Sequence, residues 1–366
     1  MWAIKSNDTL LIVLISSLSI LGLINFFSAS YYYSLIKFGN PYHYFLDNFL
    51  FKVTFIGLLF FIIGSFLGKN FFKFKKVFFL IFFVTYFFLI LAFLPIFKLE
   101  EGSARWIKFG NFSFQPSEII KPFSLIFLIF ILSELKKSFL FSKILFFIFF
   151  LIFLLLPIFL QPSLSNVLII FFSLVAVYFT FMNSGKDFFI SLLILFLILL
   201  IIVIVSSFWS YRKERFLSFI TKGQLFKEKY FQVEQSMIAI SSGGFAGKGL
   251  GKSEMKIIGL PQMLTDSIFA IYAEEWGFLG SLLYLFLFFL LILRILFLGL
   301  KTQQLEKLAF SLGVSSWLLL QTFLHLASNS ALLVPTGVVL PFFSQGASGQ
   351  LAIYFSLGIV NSFKNG

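Results

Sequence analysis

The stretch Ile144-Leu145-Phe146-Phe147-Ile148-Phe149-Phe150-Leu151-Ile152-Phe153-Leu154-Leu155-Leu156-Pro157-Ile158-Phe159-Leu160 carries no polar side chain. Its length approaches the roughly 20 residues an α-helix needs to cross a hydrocarbon core of about 30 Å. Similar runs lie near residues 9–28, 50–68, 77–97, 119–133, 166–183, 188–208, 267–293, 308–328 and 351–363. In lipid every backbone N–H and C=O must be bonded internally, so such runs are expected as helices. The reading is therefore an all-α integral membrane protein with about ten transmembrane helices. It forms one polytopic domain over residues 1–366, with a large extracytoplasmic loop at 209–266.

Composition agrees. Of 366 residues 60% are apolar and 12% charged, where a soluble domain carries about 25% charged residues. Cysteine is absent and only His43 and His325 are present, so disulfides and thiolate metal sites are excluded and zinc is disfavoured. The net charge of +13 suits an anionic lipid surface or an anionic lipid-linked substrate better than nucleic acid. Ser28-Ala29-Ser30 resembles a signal-peptide cleavage site. The run before it is longer than a usual signal core and only Lys5 precedes it, so a retained first span is expected.

With the N-terminus in the cytoplasm, the internal loops and termini hold 13 cations: Lys5, Lys69, Lys73, Lys75, Lys76, Lys136, Lys137, Lys143, Lys186, Arg294, Lys301, Lys307 and Lys364. The short external loops and their flanks hold 6: Lys37, Lys52, Lys98, Arg105, Lys108 and Lys121. That asymmetry places both termini in the cytoplasm by the positive-inside rule.

Several polar residues stand out. The loop at 209–266 carries nine cations, among them Arg212, Arg215 and Lys248, and a cluster of glycines from Gly243 to Gly251. It reads either as a solvated basic loop or as a holder of an anionic ligand, with backbone amides able to approach phosphate. Glu118 and Lys121 lie three residues apart on one helical face after Pro116-Ser117. They form either a helix-stabilising ion pair or the floor of a polar cavity. Arg105, beside Trp106, holds a phosphate or anchors the chain at the headgroups. Asp266 sits at the mouth of a membrane helix, where spacing alone favours a helix cap. Glu274 and Glu275 point to different sides of that helix and so cannot form one paired-carboxylate site. The segment Pro335–Gly349, with Ser344 and Ser348, is broken by prolines and small residues and is expected to border the same external cleft.

Four segments together carry a family resemblance. They are Gly102–Trp106 with Phe114-Gln115-Pro116-Ser117-Glu118 and Lys121; Tyr230-Phe231-Gln232 with Gln235-Ser236 and Ser242-Gly243-Gly244 through Gly247-Lys248-Gly249; Leu260–Glu275; and Pro335–Ser348. The chain resembles the SEDS (shape, elongation, division and sporulation) family over nearly its whole length. Tyr211-Arg212 with Arg215, the run Gly247 to Lys256 and Pro335-Thr336-Gly337 look more like the division branch, with the elongation branch as runner-up.

The resemblance implies an inverting peptidoglycan glycosyltransferase that polymerises lipid II at the outer face of the bacterial cytoplasmic membrane, at the division septum. Undecaprenyl pyrophosphate would leave. A class B penicillin-binding transpeptidase and other division proteins are the implied partners; nucleic acid is not. Asp266 is the implied catalytic base, and Arg105, Glu118, Lys121, Arg212, Arg215, Lys248, Ser344 and Ser348 the implied substrate-binding residues. No cofactor is assigned and no metal ligand set is defined, while a divalent ion such as Mg²⁺ stays open. The chain departs from the family pattern at Ser163, where relatives commonly carry Asp, and at Gln262, Leu264 and the Ser344–Ser348 run. A lipid II flippase and a non-catalytic scaffold are the rival readings.

Overall fold

The computed structural model describes residues 8–47, 49–94, 105–109, 112–135, 139–161, 163–182, 184–207, 217–222, 227–258 and 262–365. In chain order the helices are α1 (Thr9–Phe38), a short α2 (His43–Asp47), α3 (Phe49–Lys69), α4 (Lys75–Leu91), α5 (Pro116–Glu134), α6 (Leu140–Leu160), α7 (Leu164–Thr180) and α8 (Gly185–Ser207). They continue with α9 (Lys227–Ser242), α10 (Met255–Ile258), α11 (Ile268–Lys301), α12 (Leu305–Asn329) and α13 (Ala347–Asn361). The apolar runs and the helices coincide closely, except that α1 and α11 run well past the limits read from hydropathy. Among the described residues six helices are long and apolar enough to cross a membrane: α1, α3 from Lys52 onward, α5, α6, α11 and α12. Of the other apolar helices α4, α7 and α13 are shorter, at 17, 17 and 15 residues, while α8 has 23.

Among the described residues one hairpin is not helical. Strand β1 (Ile107–Phe109) pairs antiparallel with β2 (Phe112–Phe114), Ile107 opposite Phe114, just ahead of α5.

Lipid tails are as apolar as leucine, so helices in a membrane associate through close packing rather than hydrophobic burial, and small residues make that possible. The seam between α3 and α13 follows this rule. A methyl group on Gly64 would lie 2.2 Å from the Phe355 carbonyl oxygen, and one on Gly358 would lie 2.1 Å from that of Phe61. Any larger side chain at either position would force the two backbones apart.

Helices α1 and α11 run antiparallel and are tied at both ends. At one end Asp8 caps α1, accepting from the Leu11 amide at 2.8 Å. The same carboxylate takes a hydrogen bond from Arg294 Nε at 2.9 Å and a second from Arg294 Nη2. The Asp8 amide donates to Asn361 Oδ1 at 2.9 Å, and Asn361 reaches Ser65 at 3.2 Å, so α1, α3, α11 and α13 are clamped together. At the opposite end Ser28 of α1 donates to Glu275 of α11.

That second end holds a break. Gly277 has φ 64° and ψ −160°, which interrupts α11. An unbroken helix would bond the amides of residues 278 and 279 to the carbonyls of 274 and 275. Instead the glycine-rich loop is inserted between them. The Lys248 and Gly249 amides donate to the Glu274 and Glu275 carbonyls, each at 3.0 Å, while the Phe278 and Leu279 amides donate to Gly244 and Phe245 at 2.9 and 3.1 Å. All four groups are thereby satisfied. The insertion needs Gly247, whose φ is +80° and on which a methyl group would lie 2.1 Å from the Glu275 carbonyl oxygen.

Two outcomes follow for stability. Gly247→Ala should lower the melting temperature in detergent sharply, since the left-handed conformation alone costs a residue with a side chain about 1–3 kcal/mol before the clash is counted. For Asp8, burial works to raise the carboxyl, but the hydrogen bonds from Arg294 and Leu11 outweigh it and hold the group below its ordinary 3.8. A depressed folded-state value means that the clamp's contribution is complete above 3.8 and is lost as pH falls through the lower folded value. Melting curves across that acidic range should show the loss in the wild type. Asp8→Asn should lack it and be less stable at neutral pH by about 1.5 kcal/mol, the low end for hydrogen bonds to charged groups, because Arg294 is partly exposed.

Candidate functional site

The residues leading into α11 are held carbonyl by carbonyl. Leu264 O accepts from the Gln345 amide at 2.9 Å, Thr265 O from Ser344 Oγ at 2.7 Å, and Asp266 O from Asn329 Nδ2 at 2.8 Å. The partners of Leu264 and Thr265 belong to the broken segment 335–346, which lies between α12 and α13. Its irregular backbone is satisfied largely by side chains. Ser344 Oγ accepts from the Leu340 amide at 2.7 Å, Gln350 bonds the Phe342 amide and the Leu340 and Ser344 carbonyls, and His325 donates from Nδ1 to Val338 O at 2.7 Å. Non-helical backbone survives at membrane depth on just such terms.

Asp266 itself is half-buried. A methyl group on Gly337 would lie 3.7 Å from Asp266 Oδ2, so the Gly337 backbone faces the carboxylate. Spacing alone favoured Asp266 as the helix cap, but the cap residue of α11 is Ser267. Ser267 Oγ takes a hydrogen bond from Gln232 of α9 at 3.1 Å, which fastens α9 to the same junction.

A second polar group lies at the same end of the bundle. Lys121 Nζ lies 2.7 Å from Glu118 Oε2, with side-chain exposures of 2% and 7%, so the pair is out of water. Lys121 also donates to Gln321 Oε1 at 3.2 Å and lies over the Trp317 ring, 5.5 Å from its centroid. Gln321 in turn takes a hydrogen bond from Trp317 Nε1 at 2.6 Å and donates to Val339 O at 2.9 Å. The pair is thus coupled through one glutamine to the segment that grips Asp266. Around it, Ser348 Oγ accepts from the Gln115 amide at 3.0 Å, and Arg105 Nε donates to Gln161 O at 2.8 Å. An apolar cavity of about 290 Å³, lined by Phe60, Phe114, Ile119, Phe123, Phe355 and Ser348 among others, opens beside this group between α3, α5 and α13.

The expected site residues therefore separate into sets. Glu118, Lys121 and Ser348 gather around the starts of α5 and α13, Arg105 lies against the Gln161 carbonyl at the end of α6, and Asp266 is linked to the first group through the 335–346 segment. Ser344, expected against substrate, is fully buried, and its hydroxyl donates a hydrogen bond to Thr265 O in the segment that leads to Asp266. Lys248, expected at an anion, lies instead 2.8 Å from Glu274 and 3.1 Å from Glu254. The hydrogen bond to Glu274 raises its ammonium above the ordinary lysine range. The loop amides that could have met phosphate are likewise used, by Glu274 O, Glu275 O and the Glu275 carboxylate. Arg212 and Arg215 lie outside the described residues. Glu274 and Glu275 do take separate partners: Glu274 takes Lys248 and Ser253, and Glu275 takes Lys256 and Ser28. Among the described residues no three His, Asp or Glu side chains converge as a metal cage.

Sequence reasoning passed over Gln321, His325 and Asn329. Their spacing was a usable signal, because polar residues at i, i+4 and i+8 form one stripe on an otherwise apolar helix.

Residues 8–365 match the family model of the FtsW/RodA/SpoVE cell cycle proteins. The chain belongs to this family. The SEDS resemblance is thereby borne out. A protein named probable peptidoglycan glycosyltransferase FtsW, from Wigglesworthia glossinidia brevipalpis, is 35% identical over 367 residues, covering 96% of this chain and 92% of that one. Stage V sporulation protein E of Bacillus subtilis is 29% identical, covering 97% and 96%. Among solved structures, the rod shape determining protein RodA of Thermus thermophilus superposes with a TM-score of 0.66 at 23% identity, covering 98% of this chain and 97% of that one. A chain from a peptidoglycan synthase complex that coordinates polymerization and crosslinking gives 0.71 at 22%, covering 98% of each. The family fold extends over the whole bundle described above.

The buried pair makes a direct prediction. Lys121→Ala leaves the buried Glu118 without its partner, which costs about 3–5 kcal/mol, whereas exchanging both partners for apolar residues is often nearly neutral. Thermal unfolding in detergent should therefore show Lys121→Ala well below wild type, and Glu118→Leu/Lys121→Met markedly closer to it.

Proposed function

We propose that this protein is a peptidoglycan glycosyltransferase that polymerises lipid II into glycan strands at the outer face of the bacterial cytoplasmic membrane, for septal synthesis in cell division. The observation that carries the reading is the grip on Leu264–Asp266, which presents one partly exposed carboxylate at the end of the bundle where the buried Glu118–Lys121 pair also lies. The naming of relatives in the family supports the same chemistry.

Asp266 then serves as general base. It takes the proton of an acceptor sugar hydroxyl, whose pKa is far above 7, as that oxygen attacks the anomeric carbon of the donor. The bond from that carbon to the pyrophosphate oxygen breaks, the configuration inverts, and undecaprenyl pyrophosphate leaves. Its charge needs cations. Arg105, Lys121, Arg212 and Arg215 are the candidates to supply them. The apolar cavity beside Ser348 fits part of the polyprenyl chain. Where a divalent ion such as Mg²⁺ takes part, Asp266 and the pyrophosphate oxygens are the groups to hold it.

On this reading the protein works with a class B penicillin-binding transpeptidase and other division proteins, with both termini in the cytoplasm. A flippase would use the same polar end to receive a headgroup. A scaffold would not need Asp266.

Glycan polymerisation by purified Asp266→Asn protein separates these readings. The change keeps the shape of the side chain and removes the base, so the rate should fall about 10²- to 10⁴-fold with melting temperature and transpeptidase binding intact. Polymer yield near that of wild type would end the assignment of Asp266 and move weight to the flippase or the scaffold.

A further inference from the structure

We infer that Asn329 and Ser344 are positioning residues that aim the Asp266 carboxylate; the inference rests on the reading of Asp266 as the base. The segment from Gln262 to Ser267 is a turn, with Gln262 itself at φ +52°, and an isolated turn before a helix is free to rock. Here it is fastened on both sides. From within, the Thr265 and Ser267 amides both donate to Gln262 O, at 3.0 and 3.1 Å. From without, the three successive carbonyls of Leu264, Thr265 and Asp266 receive the Gln345 amide, the Ser344 hydroxyl and the Asn329 side-chain amide. With both peptide planes around Asp266 fixed, the direction of its Cα–Cβ bond is fixed, and only the side-chain torsions remain.

Asn329 is suited to aiming rather than to filling space. Its Nδ2 is oriented by its own helix, donating to His325 O at 2.9 Å as well as to Asp266 O at 2.8 Å. Its Oδ1 is buried without a hydrogen-bond partner. A buried acceptor left unpaired costs free energy that leucine or methionine at the same place would avoid. The arrangement keeps that cost and, in return, holds the Asp266 peptide. Ser344 holds its neighbours with a smaller side chain: its hydroxyl accepts from Leu340 N and donates to Thr265 O.

The test uses the purified full-length protein with the transpeptidase that supports wild-type polymerisation, and measures kcat and KM for lipid II together with the melting temperature. Misplacing a reacting group by about 1 Å can cost about 10²-fold in rate, so Asn329→Ala and Ser344→Ala should each lower kcat about 10- to 100-fold and leave KM within about twofold. Ser344→Thr keeps the hydroxyl and should restore most of kcat, which separates aiming from a general loss of packing. In the Asp266→Asn background, assayed at enzyme concentrations where that variant gives measurable polymer, Asn329→Ala should add less than about a threefold further loss.

Wild-type kcat in both alanine variants would overturn the proposal, and so would a rise in KM at unchanged kcat. Equal fractional losses in the two backgrounds would also overturn it, since Asn329 would then act independently of Asp266. Near-normal turnover of Asp266→Asn alone would defeat the base assignment and this inference with it. A dead Asp266→Asn beside fully active Asn329→Ala and Ser344→Ala would defeat only the inference.

Discussion

A backbone hydrogen bond has nowhere to go in lipid except to another part of the protein, and the break at Gly277 puts two carbonyls and two amides at risk at once. The glycine-rich loop answers all four, and its position follows from that obligation. Because the loop must lie against Glu274 and Glu275, the first turns of α11 are pinned to it, and Asp266 stands about two helical turns upstream of the pinned residues. The carboxylates of the same two glutamates then anchor the loop a second time, through Lys248 and Ser253 on one side and Lys256 and Ser28 on the other. What looks like a flexible basic connection in composition is a structural wedge.

The same logic governs the charges. Away from water an ion is retained only with a partner, and removing one partner is far costlier than removing both. Glu118 has Lys121, Glu275 has Lys256, and Asp8 has Arg294. The last two join separate elements, while Glu118 and Lys121 lie on one helix, α5, and reach α12 through Gln321. The first sets the floor beside the cavity, the second ties the loop to α1 and α11, and the third closes the far end. Cations counted as available for an anionic ligand were in part already spent on such pairing.

Much of the fold was legible because hydropathy reports directly on membrane spans: each apolar run has its helix. The pairing of Glu118 with Lys121 was legible from their spacing. The hairpin before α5 was missed although Phe109-Gly110-Asn111-Phe112 carries a recognised hairpin signal, two apolar strands around a Gly-Asn pair. The break in α11 could not be read, since Trp276-Gly277-Phe278 looks like any other membrane helix and the reason for the break lies in a loop some thirty residues earlier. Ser344 and Lys248 were assigned by type and neighbourhood, while their actual partners, Thr265 O and Glu274, are set by tertiary contacts that no local pattern contains.

The glycine seam between α3 and α13 also constrains how the bundle comes into being. Gly64 and Gly358 are close neighbours in space but belong to the second long helix and the last, and the Asp8–Asn361 hydrogen bond joins residues 353 positions apart. Ribosomes add about 5–20 residues per second. For most of its own synthesis α3 therefore waits in the bilayer with its narrow, glycine-lined flank facing lipid or a temporary neighbour. The final helix completes the packing from outside, like a keystone. A chain cut short before α13 would keep most of its hydrophobic segments and still leave both the seam and the Asp8–Asn361 part of the clamp unformed.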